Sequence, residues 1–343
     1  HHLRGERTLP KANMQMDYIE TPMLDMADVR GQHSARRAME IAAAGGHHIL
    51  LIGSPGCGKT LLASRLPGIL PMASDEEAID SAAIASVSGR GLDLTRFRQR
   101  PFRSPHHTSS AVALVGGGTM PKPGEISLAH NGVLFLDELA EWDRKSLEVL
   151  RQPLESGTVS ISRASNTAEF PARFQLVAAM NPCPCGWFGD NSGRCHCTMD
   201  AIERYRGKLS GPLLDRIDIH LAMTRLHHEE LHLNAAPGEC SALIRERVIR
   251  TRDLQKNRTG VCNAHLSQAQ LKEHCQLSTQ NQDLLDKAMN TLQLSARATY
   301  RILRVARTIA DLTGSEHINT PHLAEAIQYR QLDRALAMPK RRG

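Results

Sequence analysis

The amino-acid sequence predicts an α/β domain built on a parallel sheet, followed by a smaller domain of helices. Short continuous apolar runs, separated by segments of helix length, are typical of buried parallel strands with helices on both faces of the sheet. Four such runs occur, the last weaker than the others: His48–Ile52, Val133–Leu136, Leu176–Met180 and Ile217–Met223. From Ser241 onward the pattern is almost entirely helical, and Thr320-Pro321 is suited to begin the last helix.

The order of these patterns gives the expected domain boundaries. Residues 1–27 show no clear period, and we interpret them as a leader or linker. Apolar residues at helical spacing begin near Gln32 and stop at Gly45-Gly46, which predicts a helix before the first strand. We therefore place the α/β domain at residues 28–225 and the helical domain at residues 226–343.

The composition is that of a globular protein that is able to bind a partner of negative charge. Hydrophobic residues make up 41% and charged residues 23%, which excludes a fibrous or disordered chain. No apolar run approaches the roughly 20 residues of a membrane span, and no secretory signal is visible, so we predict a cytoplasmic protein without a membrane partner. The net charge of +6 permits a polyanion, and an aromatic content of 3% favours contacts with its phosphates over base stacking.

A glycine-rich segment carries the clearest chemical signal. Gly53-Ser-Pro-Gly-Cys-Gly-Lys-Thr60 matches the phosphate-binding pattern G-x-x-x-x-G-K-[ST] and lies between an apolar run and a helical segment, as that pattern requires. Lys59 is expected to reach the β- and γ-phosphates of ATP, and Thr60 to bind Mg²⁺. The other cofactor-binding positions expected in this loop are Gly53, Ser54, Pro55, Gly56, Cys57 and Gly58. The alternative is a glycine-rich turn with a coincidental lysine.

Two carboxylates follow the second apolar run. Asp137 and Glu138 come at the carboxyl end of a predicted parallel strand, the edge at which such sheets place their active groups. We expect Asp137 to hold Mg²⁺, directly or through water, and Glu138 to orient and deprotonate the attacking water. This arrangement favours hydrolysis over transfer to another substrate. Taken alone, an Asp-Glu pair is more often a helix N-cap.

These motifs, with Asn181 after the third run, resemble those of the AAA+ ATPases. Longer blocks narrow the resemblance to the magnesium-chelatase-like ATPases of the ComM (YifB) type: Asp28–Gln32, Pro101–His107, Gly124–Gly132, Asn181–Gly186 and Ser210–Asp218. The resemblance implies an AAA+ P-loop NTPase with a five-stranded parallel sheet between helices, followed by an all-α lid domain. In that family an additional N-terminal domain, similar to the C-terminal domain of Lon protease, precedes the motor, and we expect this sequence to begin too late to contain it.

The resemblance assigns further roles by position. Asn181 matches the sensor-1 residue that helps to place the water, and the block that ends in Gln32 is expected to contribute to nucleotide binding. Arg216 matches the arginine finger that reaches a neighbouring subunit's γ-phosphate. Arg297 matches the sensor-2 arginine, acting on its own subunit's nucleotide. Guanidinium groups stabilise the charge of the phosphoryl-transfer transition state. Because the resemblance places the finger in a neighbouring subunit, it also implies a hexameric ring. A surface salt bridge is the alternative for either arginine.

The resemblance also implies a DNA partner (single-stranded, forked or branched), because similar motors drive branch migration during natural transformation. Two segments resemble the family's helix-2 insertion and pre-sensor-1 hairpin, and these are expected to face the pore of the ring. The residues expected to contact DNA are Arg103, His106, His107, Lys122 and Arg163. A turn that buries the two histidines, and an ion pair of Arg163 across its hairpin, are the alternatives.

Two other functions are compatible with the same motifs. A chelatase-like motor that remodels a protein partner shares the phosphate loop, the carboxylate pair and the arginines. A passive nucleotide-gated scaffold is less compatible, because Glu138 and Arg216 favour turnover. In each case ATP is expected to be the small-molecule substrate, and no other is predicted.

Eight cysteines in a chain without an export signal indicate thiols or metal ligands before disulfides. Two C-x-C pairs, Cys183-Pro-Cys185 and Cys195-His-Cys197, lie within fifteen residues and are able to close a tetrahedral zinc site. His196 is an alternative ligand, and free thiols or redox chemistry are alternatives to a metal. We predict a structural Zn²⁺ beside Asn181, where it would brace the sensor region.

Overall fold

The computed structural model describes residues 23–89, 91, 93–162, 167–190, 193–225, 238–330 and 332 of the 343. The strands are, in chain order, Ile49–Gly53 (β1), Phe102–Arg103 (β2), Gly116–Gly117 (β3), Lys122–Pro123 (β4), Val133–Leu136 (β5), Thr158–Ser162 (β6), Thr167–Pro171 (β7), Gln175–Met180 (β8) and Ile219–Met223 (β9).

The helices before β9 are His33–Gly45 (α1), Lys59–Ala63 (α2), Leu66–Ile69 (α3), Asp75–Val87 (α4), Ala111–Val115 (α5), Glu125–Leu128 (α6), Arg144–Glu148 (α7), Pro153–Ser156 (α8), Met199–Arg206 (α9) and Gly211–Leu214 (α10). Those after it are Ser241–Thr259 (α11), Gln268–His274 (α12), Thr279–Leu292 (α13), Ala296–Leu312 (α14) and Thr320–Gln328 (α15). Single 3-10 turns lie at Met26–Asp28, Leu94–Arg96, Leu139–Glu141 and Asn263–His265.

Five strands form one parallel sheet in the order β2-β5-β8-β1-β9, which confirms the predicted α/β class and the five-stranded sheet. In its register, Ile49 of β1 lies opposite Val177 of β8 on one side and Ile219 of β9 on the other. The four apolar runs correspond to β1, β5, β8 and β9. The edge strand β2 has only two residues and follows Pro101, so it is too short to show any period in the sequence.

The sheet is buried on both faces, as the continuous apolar runs predict. One face, which includes Leu51 and Phe135, packs against α1 and the C-terminal helices α11 and α14. The other face, which includes Leu50 and Leu134, packs against side chains of α5, α6, α7, α9 and α10 and of β6. The C-terminal helices and the segment that carries the two small hairpins therefore lie on opposite faces of the sheet.

The C-terminal helices are attached at the edge of the sheet where β1 and β9 begin. The carboxylate of Asp218 accepts a hydrogen bond from the backbone N–H of His48 (3.0 Å) and forms an ion pair with Arg301 of α14 (2.6 Å). Burial alone would raise the pKa of Asp218, but the charge of Arg301, together with the hydrogen bond and charge of His47 and the charge of His48, holds that pKa well below its usual value. Because β1 leads from this edge to the phosphate loop, Arg301 anchors α14 at the edge opposite the loop.

The last residues of the predicted leader (1–27) pack against the rest of the chain. Met26 is fully buried, and the Asp25 carboxylate accepts a hydrogen bond from the backbone N–H of Ser241 (2.8 Å). The predicted domain boundary falls at the start of residues 226–237, which lie outside the described part of the chain. Among the helices of the described ranges, none combines the length and the apolar character that crossing a bilayer requires.

Candidate nucleotide site and cysteine cluster

The residues predicted to handle ATP meet at the carboxyl ends of three neighbouring strands. β1 ends at Gly53 and leads into the phosphate loop, β5 leads into Asp137, and β8 leads into Asn181. Because β5, β8 and β1 are adjacent and parallel, these three strand ends lie together at one edge of the sheet, where α/β proteins bind their ligands.

Lys59 and Thr60 begin α2 and contact the other two strand ends. Lys59 Nζ donates to the carbonyl oxygen of Gly53 (2.6 Å) and to Oδ1 of Asn181 (3.1 Å). Thr60 Oγ1 donates to Oδ2 of Asp137 (2.7 Å). A hydroxyl and a carboxylate oxygen side by side are hard oxygen ligands, so these two residues fit Mg²⁺, which would supply charge neutralisation for the phosphates of ATP.

The phosphate loop has the backbone that its glycines predict. Gly56 (φ 77°) and Gly58 (φ 93°) are left-handed, and a Cβ added at either would meet nothing within 4 Å. Backbone conformation therefore requires glycine at both positions. At Gly53 the requirement is space, since a Cβ would lie 2.8 Å from the carbonyl oxygen of Met223. Cys57 is buried, and burial raises the pKa of its thiol, so this residue fills the loop as a small apolar group.

Gln32 supports the phosphate loop through the loop's backbone. Its Nε2 donates to the carbonyl oxygens of Cys57 (3.1 Å) and Thr224 (2.8 Å), which links the loop to the end of β9. Gln32 itself has a left-handed backbone (φ 46°) immediately before α1. Both N–H donors of the Gln32 side-chain amide are thus used by backbone carbonyl oxygens. The geometry therefore favours a role for Gln32 in positioning the loop over the predicted contact with nucleotide.

The predicted general base, Glu138, is paired with a histidine. Its Oε2 lies 2.9 Å from Nδ1 of His107, and its side chain is 52% exposed. Glu138 has a left-handed backbone (φ 49°), and its N–H donates to Oδ1 of Asp137 (2.8 Å). His107 was predicted to contact DNA. Its imidazole contacts the carboxylate that is expected to activate water, and the contact with DNA stays a prediction.

Arg216 and Arg297 do not lie with Lys59. Arg216 is nearly buried and forms an ion pair with Glu155 of α8. This hydrogen bond from Arg216 lowers the pKa of Glu155, and the charge of Arg297 adds to the effect. Arg297 lies one helical turn before Arg301, at the edge of the sheet opposite the phosphate loop. The expected action of Arg297 on its own subunit's nucleotide does not fit this position.

The residues predicted to contact DNA differ in their contacts and exposure. Arg103 lies in β2, and its guanidinium forms two hydrogen bonds with the carboxylate of Glu125 (2.6 and 2.9 Å), which indicates a structural role. His106 and Lys122 are exposed, and Lys122 lies in the antiparallel hairpin of β3 and β4. Arg163 lies outside the described residues, between β6 and β7.

The four cysteines of the two C-x-C pairs converge. Sγ of Cys185 lies 3.3 Å from Sγ of Cys183 and 3.7 Å from Sγ of Cys195. With Cys197 included, all four sulfur atoms lie within 4.8 Å of one another. A tetrahedral zinc ion, with bonds of about 2.3 Å to sulfur, needs sulfur atoms roughly 3.8 Å apart. The arrangement of the four thiols therefore fits a single metal ion.

Two residues that the sequence did not single out join these features. Glu155 pairs with Arg216 and lies three residues before the hairpin of β6 and β7, but its partner is 61 residues away, so no local pattern marks it. Met120 lies at the tip of the hairpin of β3 and β4 and is 77% exposed. The sequence did carry a signal for Met120, because it is a large apolar residue within a segment of turn-forming residues.

The chain resembles known proteins along most of its length. The family model described as magnesium chelatase, subunit ChlI, matches residues 25–231, and the model of its C-terminal part matches residues 238–330. Competence protein ComM of Haemophilus influenzae is 49% identical over 339 residues, which are 97% of this chain and 66% of that protein. Protein YifB of Escherichia coli is 49% identical over 312 residues, 91% of this chain and 61% of that protein.

The chain thus spans about two thirds of the length of these relatives. More distant relatives include DNA replication licensing factor Mcm6 of Drosophila melanogaster, 23% identical over 216 residues, which are 60% of this chain and 25% of that protein. An MCM-type protein of Methanocaldococcus jannaschii is 27% identical over 172 residues, which are 50% of this chain and 19% of that protein.

Proposed function

The chain belongs to the magnesium chelatase ChlI family, and we propose that it is an ATP-hydrolysing, hexameric ring motor that translocates on DNA and promotes branch migration during natural transformation. The observation that carries this proposal is the meeting of Lys59, Thr60, Asp137 and Asn181 at one edge of the sheet. The likeness to a competence protein and to a DNA replication licensing factor supports DNA as the partner.

In the proposed reaction, the side chains around the phosphate loop divide the work of hydrolysis. Lys59 moves from Asn181 to the phosphates, and Thr60 and Asp137 hold Mg²⁺. Glu138 accepts a proton from the attacking water, and Asn181 helps to orient that water. The imidazole of His107 competes with the attacking water for this carboxylate, because Oε2 of Glu138 lies in hydrogen-bond contact with Nδ1 of His107.

The positions of the two arginines support the proposed ring assembly. Arg216 and Arg297 share Glu155 as their anionic neighbour and lie away from Lys59 of their own chain. A guanidinium supplied by a neighbouring subunit stabilises the charge of the transition state by a large factor. We propose that both arginines act in trans, so that each ATP site is complete only between two subunits.

DNA would be held through its phosphates. The described part of the chain offers His106 and Lys122 on its surface, and the third proposed contact, Arg163, lies outside that part. Aromatic residues make up only 3% of the chain, so base stacking contributes little. ATP is the proposed small-molecule substrate, and a cytoplasmic location is proposed because ATP and reduced thiols coexist there.

We assign a structural Zn²⁺ to the cysteine cluster as the third proposed cofactor. Four thiolates without an open position are typical of a closed, tetrahedral structural site. The separations of 3.3 to 3.9 Å between the sulfur atoms of Cys183, Cys185 and Cys195 support this assignment. ATP and Mg²⁺ are the cofactors of the phosphate loop.

One observation favours the alternative function, a motor that remodels a protein. Met120 is 77% exposed at the tip of a hairpin, and an exposed apolar side chain is suited to gripping a peptide. The same side chain is also suited to contact bases between the phosphates of DNA. Because of Met120, a motor that remodels a protein remains the second candidate function.

A binding experiment with the Glu138→Gln variant tests the DNA proposal. The variant is expected to bind ATP without hydrolysing it. Its binding to labelled forked DNA is measured with ATP and without nucleotide, over a series of salt concentrations. We expect binding that depends on ATP and weakens steeply with salt, because contacts with phosphates release counterions. Lys59→Ala, which cannot hold the phosphates, is the control and shows no effect of ATP. Absence of DNA binding by a hexamer would contradict the proposal and favour a protein partner.

A further inference from the structure

We propose that the metal ion of the cysteine cluster holds the phosphate loop in place, so that loss of the metal weakens ATP binding while every ATP-contacting residue is intact. The inference rests on the proposed function, because it joins the proposed ATP site to the proposed Zn²⁺ site. Three contacts on one short segment carry it.

The first contact is made at the end of β8. Asn181, whose Oδ1 accepts a hydrogen bond from Lys59 Nζ (3.1 Å), precedes the first cysteine ligand by two residues. The carbonyl oxygen of Pro182, between them, accepts a hydrogen bond from Nε of Arg206 (3.0 Å). Movement of Cys183 therefore displaces the residue that contacts the lysine of the phosphate loop.

The second contact is direct. Gly186 donates its N–H to the carbonyl oxygen of Cys183 (3.0 Å) and has a left-handed backbone (φ 83°). A Cβ added at Gly186 would lie 2.6 Å from Cδ and 2.8 Å from Cγ of Pro55. The turn between the first two cysteines and Trp187 thus lies directly against the third residue of the phosphate loop.

The third contact fixes the other pair of cysteines. Cys197 precedes Thr198, whose hydroxyl accepts a hydrogen bond from the N–H of Ala201 (3.3 Å) and caps α9. Tyr205 of the same helix is buried in the core beneath the sheet. A metal ion bound by both pairs therefore joins the turn at Pro55 to an anchored helix. Hydrogen bonds between thiols are too weak to replace it.

Removal of two ligands tests the proposal. In Cys185→Ser/Cys197→Ser, we expect zinc to fall well below one ion per chain and the Kd of a fluorescent ATP analogue to rise at least about tenfold, the size typical of lost support around a site. Chelation of wild type is expected to have the same effect, and added Zn²⁺ to reverse it. The control is Cys240→Ser/Cys262→Ser, which removes two half-buried thiols outside the cluster and keeps both zinc and affinity.

Two glycine substitutions distinguish loss of the contact with Pro55 from general damage to the cysteine segment. Gly186 and Gly189 both have φ 83°, but a Cβ at Gly189 would meet nothing within 4 Å. Alanine therefore adds the same backbone strain at each position, and only Gly186→Ala also presses on Pro55. We expect Gly186→Ala to keep its zinc and to bind the ATP analogue more weakly than Gly189→Ala.

The outcomes separate the inference from the proposed function. Unchanged ATP affinity in a zinc-free double variant would overturn the inference, and so would purified wild type with well under one zinc per chain. Equal ATP affinity of the two alanine variants would also count against it. No ATP binding by zinc-loaded wild type would instead contradict the proposed ATP site.

Discussion

The ion pair between Asp218 and Arg301 gives a prediction whose size follows from the structure. The Asp218 side chain is 1% exposed and the Arg301 side chain 17% exposed, and the pair joins the sheet to α14. In Arg301→Ala, the carboxylate stays buried and keeps the hydrogen bond from His48 N–H, but it loses its cation. Breaking a buried pair from one side costs about 3–5 kcal/mol, and we expect the lower value because Arg301 is partly exposed.

Chemical denaturation at pH 7 measures the effect. A loss of about 3 kcal/mol corresponds to a fall in Tm of about 4 °C, because an unfolding entropy of about 2.1 cal/mol/K per residue amounts to about 0.7 kcal/mol/K for 343 residues. Arg250→Ala removes an exposed arginine of α11 and is the control, with an expected change below about 0.5 kcal/mol. In Arg301→Ala/Asp218→Asn the buried charge is gone, and part of the loss is recovered.

The pH dependence of this difference has a definite sign. The pKa of Asp218 is lower in the folded state than in the unfolded state, so the ion pair stabilises the fold above the unfolded pKa of about 4. The stabilisation is lost as pH falls through the lower, folded pKa. In Arg301→Ala, burial without the cation raises the folded pKa of Asp218 relative to wild type, so the variant is protonated first and its difference from wild type is expected to shrink as pH falls from 7. A loss under about 0.5 kcal/mol at pH 7 would refute the buried pair.

Two further substitutions test the surroundings of the site. His107→Ala removes the partner of Glu138, and we expect the rate of ATP hydrolysis without DNA to rise about two- to fivefold. This is the factor that corresponds to an exposed ion pair worth about 0.4–1 kcal/mol. An unchanged rate would show that the pair does not restrain Glu138. Lys122→Ala is expected to weaken DNA binding and to lower the salt slope by about one, while Arg103→Ala, whose guanidinium is held by Glu125, leaves that slope unchanged. Equal slopes for the two variants would contradict the assignment.

The sequence predicted the parts of the site that depend on the ends of strands. The phosphate loop, Asp137 and Asn181 each follow an apolar run, and adjacent parallel strands necessarily bring their carboxyl ends together. The four cysteines were also predictable as a group, because two short pairs joined by a loop of nine residues converge without help from the rest of the fold. Local spacing was enough in both cases.

The partners of these residues were not predictable, because they come from distant parts of the chain. His107 and Glu138 meet through the end of β2, an edge strand of two residues that leaves no pattern. The approach of Gly186 to Pro55 depends on how β8 and β1 pair, and spacing along the chain carries no information about it. The position of Arg297 depends on which face and which edge of the sheet the C-terminal helices cover.

The central claim is that each ATP site is completed by Arg216 of a neighbouring subunit, and mixed rings test it most directly. Lys59→Ala lacks a working phosphate loop and Arg216→Ala lacks the finger, so each alone is expected to be nearly inactive. In an equal mixture, about a quarter of the interfaces pair an intact loop with an intact finger, and ATP hydrolysis is expected to recover accordingly. No recovery in rings shown to contain both variants would contradict the account.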